Sequence, residues 1–556
     1  MAITNIAEYF VQHLSTPDKA LYRHFVDERW ADVSVAEVAL LIGRWQAALA
    51  ARGLKRGDRI AVCIRNGVNW VGLDLAVLGL GMVVVPLYVD DNPDNVAWCV
   101  ADAEAGMLVI ENGRMADALA QSGAVLPPVL VLRSAPDESN KWPSVASALP
   151  LNAAPPQVEA LSPDILATIC YTSGTSGRPK GVMLSHANII GNVTSCQKTG
   201  MARASDTFFS ILPLSHMFER TGGYYLPLSL GAKVAFARGV STLADDLASQ
   251  APTAMFAVPR IFEKFLERIR QTLATSPAKQ WLFAQCAARG WRVAQHRASL
   301  VDAIAAPWLR TVVAKPILAR LGGRMRLTVI GGAALDPAIA ETFIGLGLPM
   351  LQGYGMTEAS PVVSVNREED NDPTSVGKPL PGVEVKLTDA AELLVRGPNV
   401  MQGYWRNPEA TSKAIDADGW LHTGDLVELR EGRIYIKGRL KDILVMSNGE
   451  KLPPQDAEFT LLRDPTFEQV MLVGEGRPFL TLLAVSKEAD EKALVKRANG
   501  LLSKFPRWVR IRRAIVTREP WTIDENLLTP TQKLKRPQLL AKYQNAIDAI
   551  YRSESG

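Results

Sequence analysis

Residues 165–182 read ILATICYTSGTSGRPKGV. The first six are apolar or β-branched and predict a buried strand. Residues 171–182 then hold two serines, two threonines, three glycines and one lysine. Glycines let backbone amides turn inward and hydroxyls add donors, so such a loop can cradle a polyphosphate, with Lys180 as a point charge. It is not a Walker A loop. Gly174, Gly177 and Lys180 are spaced differently from GxxxxGK[ST], and Gly181 follows the lysine. An exposed Gly/Ser linker is the plainer alternative, but it leaves the order of hydroxyls, glycines and lysine without a purpose.

On both sides of this loop, helical patterns alternate with short apolar runs. Residues 51–64 (ARGLKRGDRIAVCI) pass from a helix end through a turn into a strand. Residues 82–88 (MVVVPLY), 107–111 (MLVIE) and 125–132 (VLPPVLVL) predict further buried strands, and 325–335 (MRLTVIGGAAL) a strand entering a glycine turn. Strands separated by helices imply parallel sheets with helices on their faces. Beyond Asp370, EVKLTD, ELLVRG and GRIYIKG alternate as short strands of a smaller antiparallel or barrel-like unit. Residues 437–442 (KGRLKD) are a candidate hinge before a shorter α+β stretch. The expected fold is α/β. A large N-terminal domain, residues 1–438, has parallel-rich, helix-flanked sheets and a small β-barrel-like subdomain over about 370–438. A mobile, smaller α+β C-terminal domain covers 439–556. Residues 71–89 are the most membrane-like, yet contain Asp74, Gly79, Gly81 and Pro86. They read as a buried helix, a glycine stop and a buried strand, because a span needs about 20 apolar residues without such breaks. Residues 140–163, rich in Pro and Ala, predict a surface connection.

The 556 residues are 47% hydrophobic and 21% charged, which argues against a disordered chain. A net charge of +4 gives no global nucleic-acid signal. The cysteines (63, 99, 170, 196 and 286) are odd in number, widely spaced and form no CxxC. They argue against a disulfide framework or a zinc site and fit a reducing compartment. The N-terminal MAITNIAEYFVQHL predicts no secretory leader.

TSGTSGRPKG resembles the signature loop of the adenylate-forming superfamily: acyl-CoA synthetases, firefly luciferase and the adenylation domains of peptide synthetases. Other motifs of that superfamily follow in order. They are QGYGMTE (352–358), after the glycine turn Gly331, Gly332 and Ala333, then LHTGD (421–425), GRLKD (438–442) and LTPTQKLKR (528–536). The resemblance runs from residue 171 to 536; earlier residues match only in length and texture. LPLSHMFE (212–219), VPRIFEKF (258–265) and LTPTxKLKR are similar to the bacterial long-chain fatty acid–CoA ligases.

This resemblance implies ATP-dependent activation of a long-chain fatty acid to acyl-AMP with release of pyrophosphate, then transfer to coenzyme A, with Mg²⁺ required. A carboxylate attacking a phosphate brings two anions together, so cations and oriented donors must offset the charge. Thr172, Ser173, Gly174, Thr175, Ser176, Gly177 and Lys180 would hold the β- and γ-phosphates. Glu358 would bind Mg²⁺ and Thr357 the α-phosphate. Adenine would lie against Tyr354, with Gly331, Gly332 and Ala333 supplying close backbone and Gln352, Gly353 and Gly355 completing the nucleotide site. Asp425 would accept from the ribose hydroxyls, assisted by Arg439. Lys533 would be the catalytic lysine between carboxylate and α-phosphate, with Lys535 the competing candidate. Many relatives have glycine just before it, where this chain has Gln532. Lys441 would be the hinge. One orientation would present Lys533; the other would present residues 447–454, where Gly449 would flank the path of the pantetheine thiol or serve only as a turn residue. His216 would lie beside the acyl channel or pack as a core histidine. Gly222 and Gly223 would leave room for the acyl chain or permit close helix packing.

Residues 279–326 hold nine basic residues, one acid (Asp302) and three tryptophans (281, 291 and 308). They would rest on an anionic membrane surface or form a solvated helix pair with tryptophans packed inward. Residues 492–518 hold nine basic residues and no acid, and would attract CoA phosphates or lipid head groups, or be a solvated face. The expected partners are a long-chain fatty acid and coenzyme A, not nucleic acid. The expected location is the cytoplasm, with peripheral contact at the inner face of the membrane. The competing functions are a fatty acyl-AMP ligase that loads a carrier protein and a non-catalytic acyl- or nucleotide-binding descendant.

Overall fold

The alternation of strands and helices resolves, in a computed structural model describing residues 3–133, 141–172, 178–529 and 532–553, into two helix-covered sheets. The first has seven strands in the order Gly403–Tyr404, Lys180–Ser185, Leu166–Thr172, Val83–Pro86, Arg59–Cys63, Met107–Asn112 and Val129–Arg133, the last five parallel. The second has nine. Six consecutive strands of it run parallel in the order Met350–Gly355, Leu327–Ile330, Ala254–Ala257, Thr207–Ser210, Lys233–Phe236 and Ala20–Val26. Ile60 and Val62 face a core shared by both sheets, whereas Ala61 and Cys63 face a separate core on the other side. Burial on both faces is why these strands read as unbroken apolar runs. In VLPPVLVL pairing begins only at Val129, because Pro127 and Pro128 have no amide hydrogen to donate.

The membrane-like stretch is helix Val68–Gly79, a left-handed Gly81 and strand Val83–Pro86, all in the interior. No helix among the described residues is long and apolar enough to cross a membrane. Asp74 has a reason to be there: it pairs with the equally buried Arg220. Arg220 Nη1 also donates to Thr168 Oγ1 at 2.9 Å, and the Tyr224 and Tyr225 hydroxyls donate to Asp74 Oδ2 at 3.2 and 2.9 Å. One ion pair thus ties this helix and strand Leu166–Thr172 to the π-helical turn Arg220–Tyr225. Removing one partner would leave a buried charge unpaired, at a cost of about 3–5 kcal/mol.

The stretch expected to be barrel-like is an open antiparallel sheet of four strands, Glu384–Leu387, Glu392–Arg396, Leu421–Arg430 and Arg433–Arg439. Two short strands from the same stretch, Lys378–Pro379 and Gly403–Tyr404, pair instead with edges of the large sheets. A single 3-10 turn, Leu440–Asp442, leads from this sheet into the C-terminal α+β unit. That unit's three-stranded sheet is Phe467–Val473, Leu480–Ser486 and Ile511–Thr517. Arg463 on the C-terminal side reaches back to Asp336, the N-cap of helix Pro337–Leu346, at 2.7 Å. In the basic run 492–518, Arg497 pairs with Asp464 and Arg513 with Glu491.

Next to the buried ion pair, Glu219 is fully enclosed and neither carboxylate oxygen has a hydrogen bond of ordinary geometry. Burial, offset only in part by the Ser210 side chain, pushes its pKa up to about 8. The folded chain therefore keeps this proton to about pH 8, while the unfolded chain releases it near the ordinary 4.5. The contribution is whole below the unfolded value and is lost as pH rises through the folded one. Glu219→Gln, which cannot ionise, should gain stability over the native chain progressively across this window and by a constant margin above it. Thermal unfolding midpoints measured from about pH 5 to about pH 9 check this; a pH-independent difference would contradict it.

Candidate active site

Strands Leu166–Thr172 and Lys180–Ser185 form a hairpin in which Thr172 faces Lys180. Ser173, Gly174, Thr175, Ser176 and Gly177 lie outside the described residues. Strand Gly403–Tyr404 pairs with the second arm and sets Tyr404 opposite Val182. The Lys180 ammonium lies 4.9 Å from the centre of the Tyr404 ring, and the Tyr404 hydroxyl donates to Glu358 Oε1 at 2.9 Å. Burial and the Glu358 carboxylate raise the Tyr404 pKa, so the phenol stays protonated and can donate. Glu358 and Thr357 sit in the 3-10 turn Thr357–Ala359, just after strand Met350–Gly355.

That strand carries Gln352, Gly353, Tyr354 and Gly355 along the cleft. The neighbouring parallel strand, Leu327–Ile330, ends in Gly331, Gly332 and Ala333, at the carboxyl ends where open α/β sheets bind ligands. A side chain on Gly331 would come within 2.9 Å of the Phe218 ring. The Tyr354 hydroxyl donates to Asp425 Oδ2 at 2.5 Å, and Arg439 Nε donates to Asp425 Oδ1 at 2.8 Å. Asp425 and Arg439 face each other across paired strands, so backbone register fixes this contact.

Lys533 arrives at the same cleft from the C-terminal unit. Its pKa is lowered chiefly by burial and then by the charge of Arg439, while Asp425 opposes the shift. Lys535 lines the same cleft, where its ammonium donates to Asn526 Oδ1 at 2.5 Å. The departure at Gln532 has a backbone cost: its φ is +60°, a conformation glycine adopts freely and other residues only with strain.

His216 is half-buried, and its Nδ1 accepts from the Phe218 amide at 3.1 Å, capping a short helical turn. Burial, then the Lys533 charge, brings its pKa down to about 4, so the ring is neutral. Gly222 and Gly223 lie in the buried π-helical turn. A side chain at Gly222 would strike the Phe256 ring and one at Gly223 the Glu219 carboxylate, so both permit close packing. Gly449, with φ +84°, is an exposed turn residue away from the cleft. Lys441 is exposed in the turn that joins the two units.

An apolar pocket continues inward from His216, Gly332, Tyr354 and Thr357 toward Met201, Ala202 and Leu380. Its free volume is about 70 Å³. Tyr404 is the site residue that the motifs did not reveal. Its only signal is a tyrosine in MQGYWRN, and its partners lie far away in the sequence.

The AMP-binding enzyme family matches residues 11–405, and the AMP-binding enzyme C-terminal domain matches 441–555. The chain belongs to this family of AMP-binding enzymes. It is similar to the long-chain-fatty-acid–CoA ligase FadD15 of Mycobacterium bovis, at 32% identity over 99% of this chain and 97% of that protein. It is also similar to the peroxisomal long chain acyl-CoA synthetase 6 of Arabidopsis thaliana, at 32% identity over 95% of this chain and 82% of that protein. Among solved structures it resembles ATP-bound MatB from Rhodopseudomonas palustris, with a TM-score of 0.74 and 25% identity over 98% of this chain and all of that one.

Tyr404→Phe keeps the ring under Lys180 and removes the hydroxyl that holds Glu358. A hydrogen bond to a charged group is worth about 1.5–3 kcal/mol, so AMP-forming activity should fall by about tenfold or more with the fold intact. Pyrophosphate release beside thermal unfolding measures both; unchanged release would contradict the role given to this contact.

Proposed function

We propose that the chain is an AMP-forming acid–thiol ligase that activates a long-chain fatty acid and passes the acyl group to coenzyme A. The observation that carries this reading is Lys533, on the C-terminal unit, lining the cleft in which Asp425 and Arg439 meet. In the first half-reaction a carboxylate oxygen of the acid bonds to the α-phosphorus of ATP, and the bond to pyrophosphate breaks. Lys533 offsets the negative charge that converges there. Thr172, the loop 173–177 and Lys180 hold the β- and γ-phosphates, and Thr357 the α-phosphate. Tyr354 and the backbone of Gly331, Gly332 and Ala333 flank adenine. Asp425 has used one lone pair on each oxygen, for Tyr354 and Arg439, and keeps others for the ribose hydroxyls.

Glu358 fits a magnesium ion. Tyr404 occupies one of its oxygens and leaves the other available. Among the described residues no group of three or more His, Cys, Asp or Glu side chains could hold a metal by itself. That donor set suits Mg²⁺, which takes one or two carboxylates together with substrate phosphates and water. When bound, the ion neutralises phosphate charge.

In the second half-reaction the CoA sulfur bonds to the acyl carbonyl carbon and AMP leaves. We place the hinge at Lys441. Turning there withdraws Lys533 and brings the exposed turn at Gly449 toward the acyl group.

The long-chain preference rests on the relatives that match nearly the whole chain and on the apolar pocket beyond His216. The pocket is far smaller than the roughly 300 Å³ at the low end of ligand sites. An acyl chain therefore enters by displacing walls such as Phe218 and Phe256, now packed edge to face at 5.5 Å. Free thiols on all five cysteines suit a reducing cytoplasm, and long-chain acids partition into membranes, so we place the enzyme at an inner membrane surface.

The test is a panel of saturated acids from short to long, with aryl acids included, incubated with Mg·ATP and CoA and analysed for pyrophosphate, acyl-AMP and acyl-CoA. Acyl-CoA with an optimum at long chains is the expected result. Acyl-AMP that accumulates despite CoA would point to a carrier-loading enzyme, and no pyrophosphate with any acid to a binding protein.

A further inference from the structure

Helix Leu300–Leu309 and the π-turn Arg310–Ala314 that continues it turn an apolar face outward. Leu300 is 87% exposed, Val301 62%, Ile304 79%, Trp308 57% and Val312 50%. They recur at i, i+1, i+4, i+8 and i+12, the stripe by which a helix ordinarily faces a core. Here the stripe faces out, and the opposite face packs inward through Asp302, Leu309 and Ala314. It spans roughly 18 Å at 1.5 Å per residue.

This orientation is built in. Ser299 and Asp302 form a reciprocal capping box at the helix start. Asp302, the one acid in 279–326, is buried and bonded to Arg289 and Arg292 of helix Pro277–Ala294. That helix in turn crosses helix Pro337–Leu346 so closely that a side chain on Gly290 would lie 1.8 Å from the Gly345 carbonyl oxygen.

The surroundings are basic. Lys279, Arg297, Arg310, Lys315, Arg320 and Arg324 are exposed in this segment, which presents no exposed acid. Trp281, 61% exposed, adds a second amphipathic ring. The same face of a second copy would bring cations against cations. An anionic bilayer takes both features, with aliphatic side chains among the acyl tails, tryptophan at the head-group level and lysine and arginine on the lipid phosphates.

We propose that this face is a docking surface for an anionic lipid bilayer, with the helix lying flat in the interface. Its purpose rests on the ligase reading. Pro316, Ile317 and Leu321, just past the π-turn, line the same cleft as Lys533, so docking sets that end of the cleft next to the lipid in which a long-chain acid dissolves.

The test is co-sedimentation of the full chain with vesicles of phosphatidylcholine alone or with about 30% phosphatidylglycerol, without ATP, acid or CoA. Binding should require the anionic lipid and weaken as salt is raised. The triple variant L300S/I304S/W308S should lose at least about tenfold in vesicle affinity while its acyl-CoA formation from a water-soluble shorter acid stays unchanged. R297E/K315E/R324E should abolish the salt-sensitive part. No binding by the native chain, or equal binding by the apolar triple variant, would overturn the proposal. So would an apolar triple variant that only converts a dimer to a monomer in sedimentation velocity, which would assign the face to a second copy. Vesicle binding by a chain that makes no acyl-CoA from any acid would leave the docking surface standing and remove the ligase reading.

Discussion

The contact between Asp425 and Arg439 is the constraint on which the rest of the site depends. Strand register sets the two residues opposite each other, so the contact does not rely on flexible side chains finding one another. Asp425 also receives the Tyr354 hydroxyl, which links the edge sheet to the strand that carries QGYGMTE. Arg439 is the last residue before the turn into the C-terminal unit. One carboxylate therefore joins the strand that carries QGYGMTE to the residue before the turn into the C-terminal unit, and Lys533 lines the same cleft. Arg439 and Lys533 thus bring two cations to one carboxylate. In the function we propose, incoming phosphates and a carboxylate would meet these cations, which offsets the repulsion between two anionic reactants.

Behind the site lies a second buried charge pair with a different task. Arg220 and Asp74 face no cleft; they fix the π-helical turn that follows LPLSHMFE and tie it to one helix and to a strand of the seven-stranded sheet. The wall formed by His216, Phe218 and Gly331 hangs from this frame. A neutral His216, held by the Phe218 amide, adds shape without adding charge to the region that we propose accepts an apolar chain.

Much of this was legible in the sequence because the signals were local or repeated. Unbroken apolar runs gave the parallel strands, and the Gly81 break divided helix from strand within the membrane-like stretch. Ordered motifs gathered Lys180, Tyr354, Asp425 and Lys533 before any fold was known. What stayed hidden depends on pairing between distant residues. Strands Lys378–Pro379 and Gly403–Tyr404 are two residues each, too short to carry a period, so neither the edges they complete nor the Tyr404 bridge from Lys180 to Glu358 was visible. The partner of Asp74 was likewise out of reach, as was the tight packing at Gly222 and Gly223. A count of basic residues and tryptophans could not say which way the side chains of 279–326 point; Trp281 and Trp308 face solvent rather than packing inward.

In the function we propose, Lys533 serves the first half-reaction and leaves the cleft for the second. Lys533→Ala, assayed separately for acyl-AMP formation from acid and Mg·ATP and for thiolysis of preformed acyl-AMP by CoA, tests it most directly. Adenylation should fall by about a hundredfold or more while thiolysis stays within about threefold of the native rate. Equal loss in both half-reactions would contradict it.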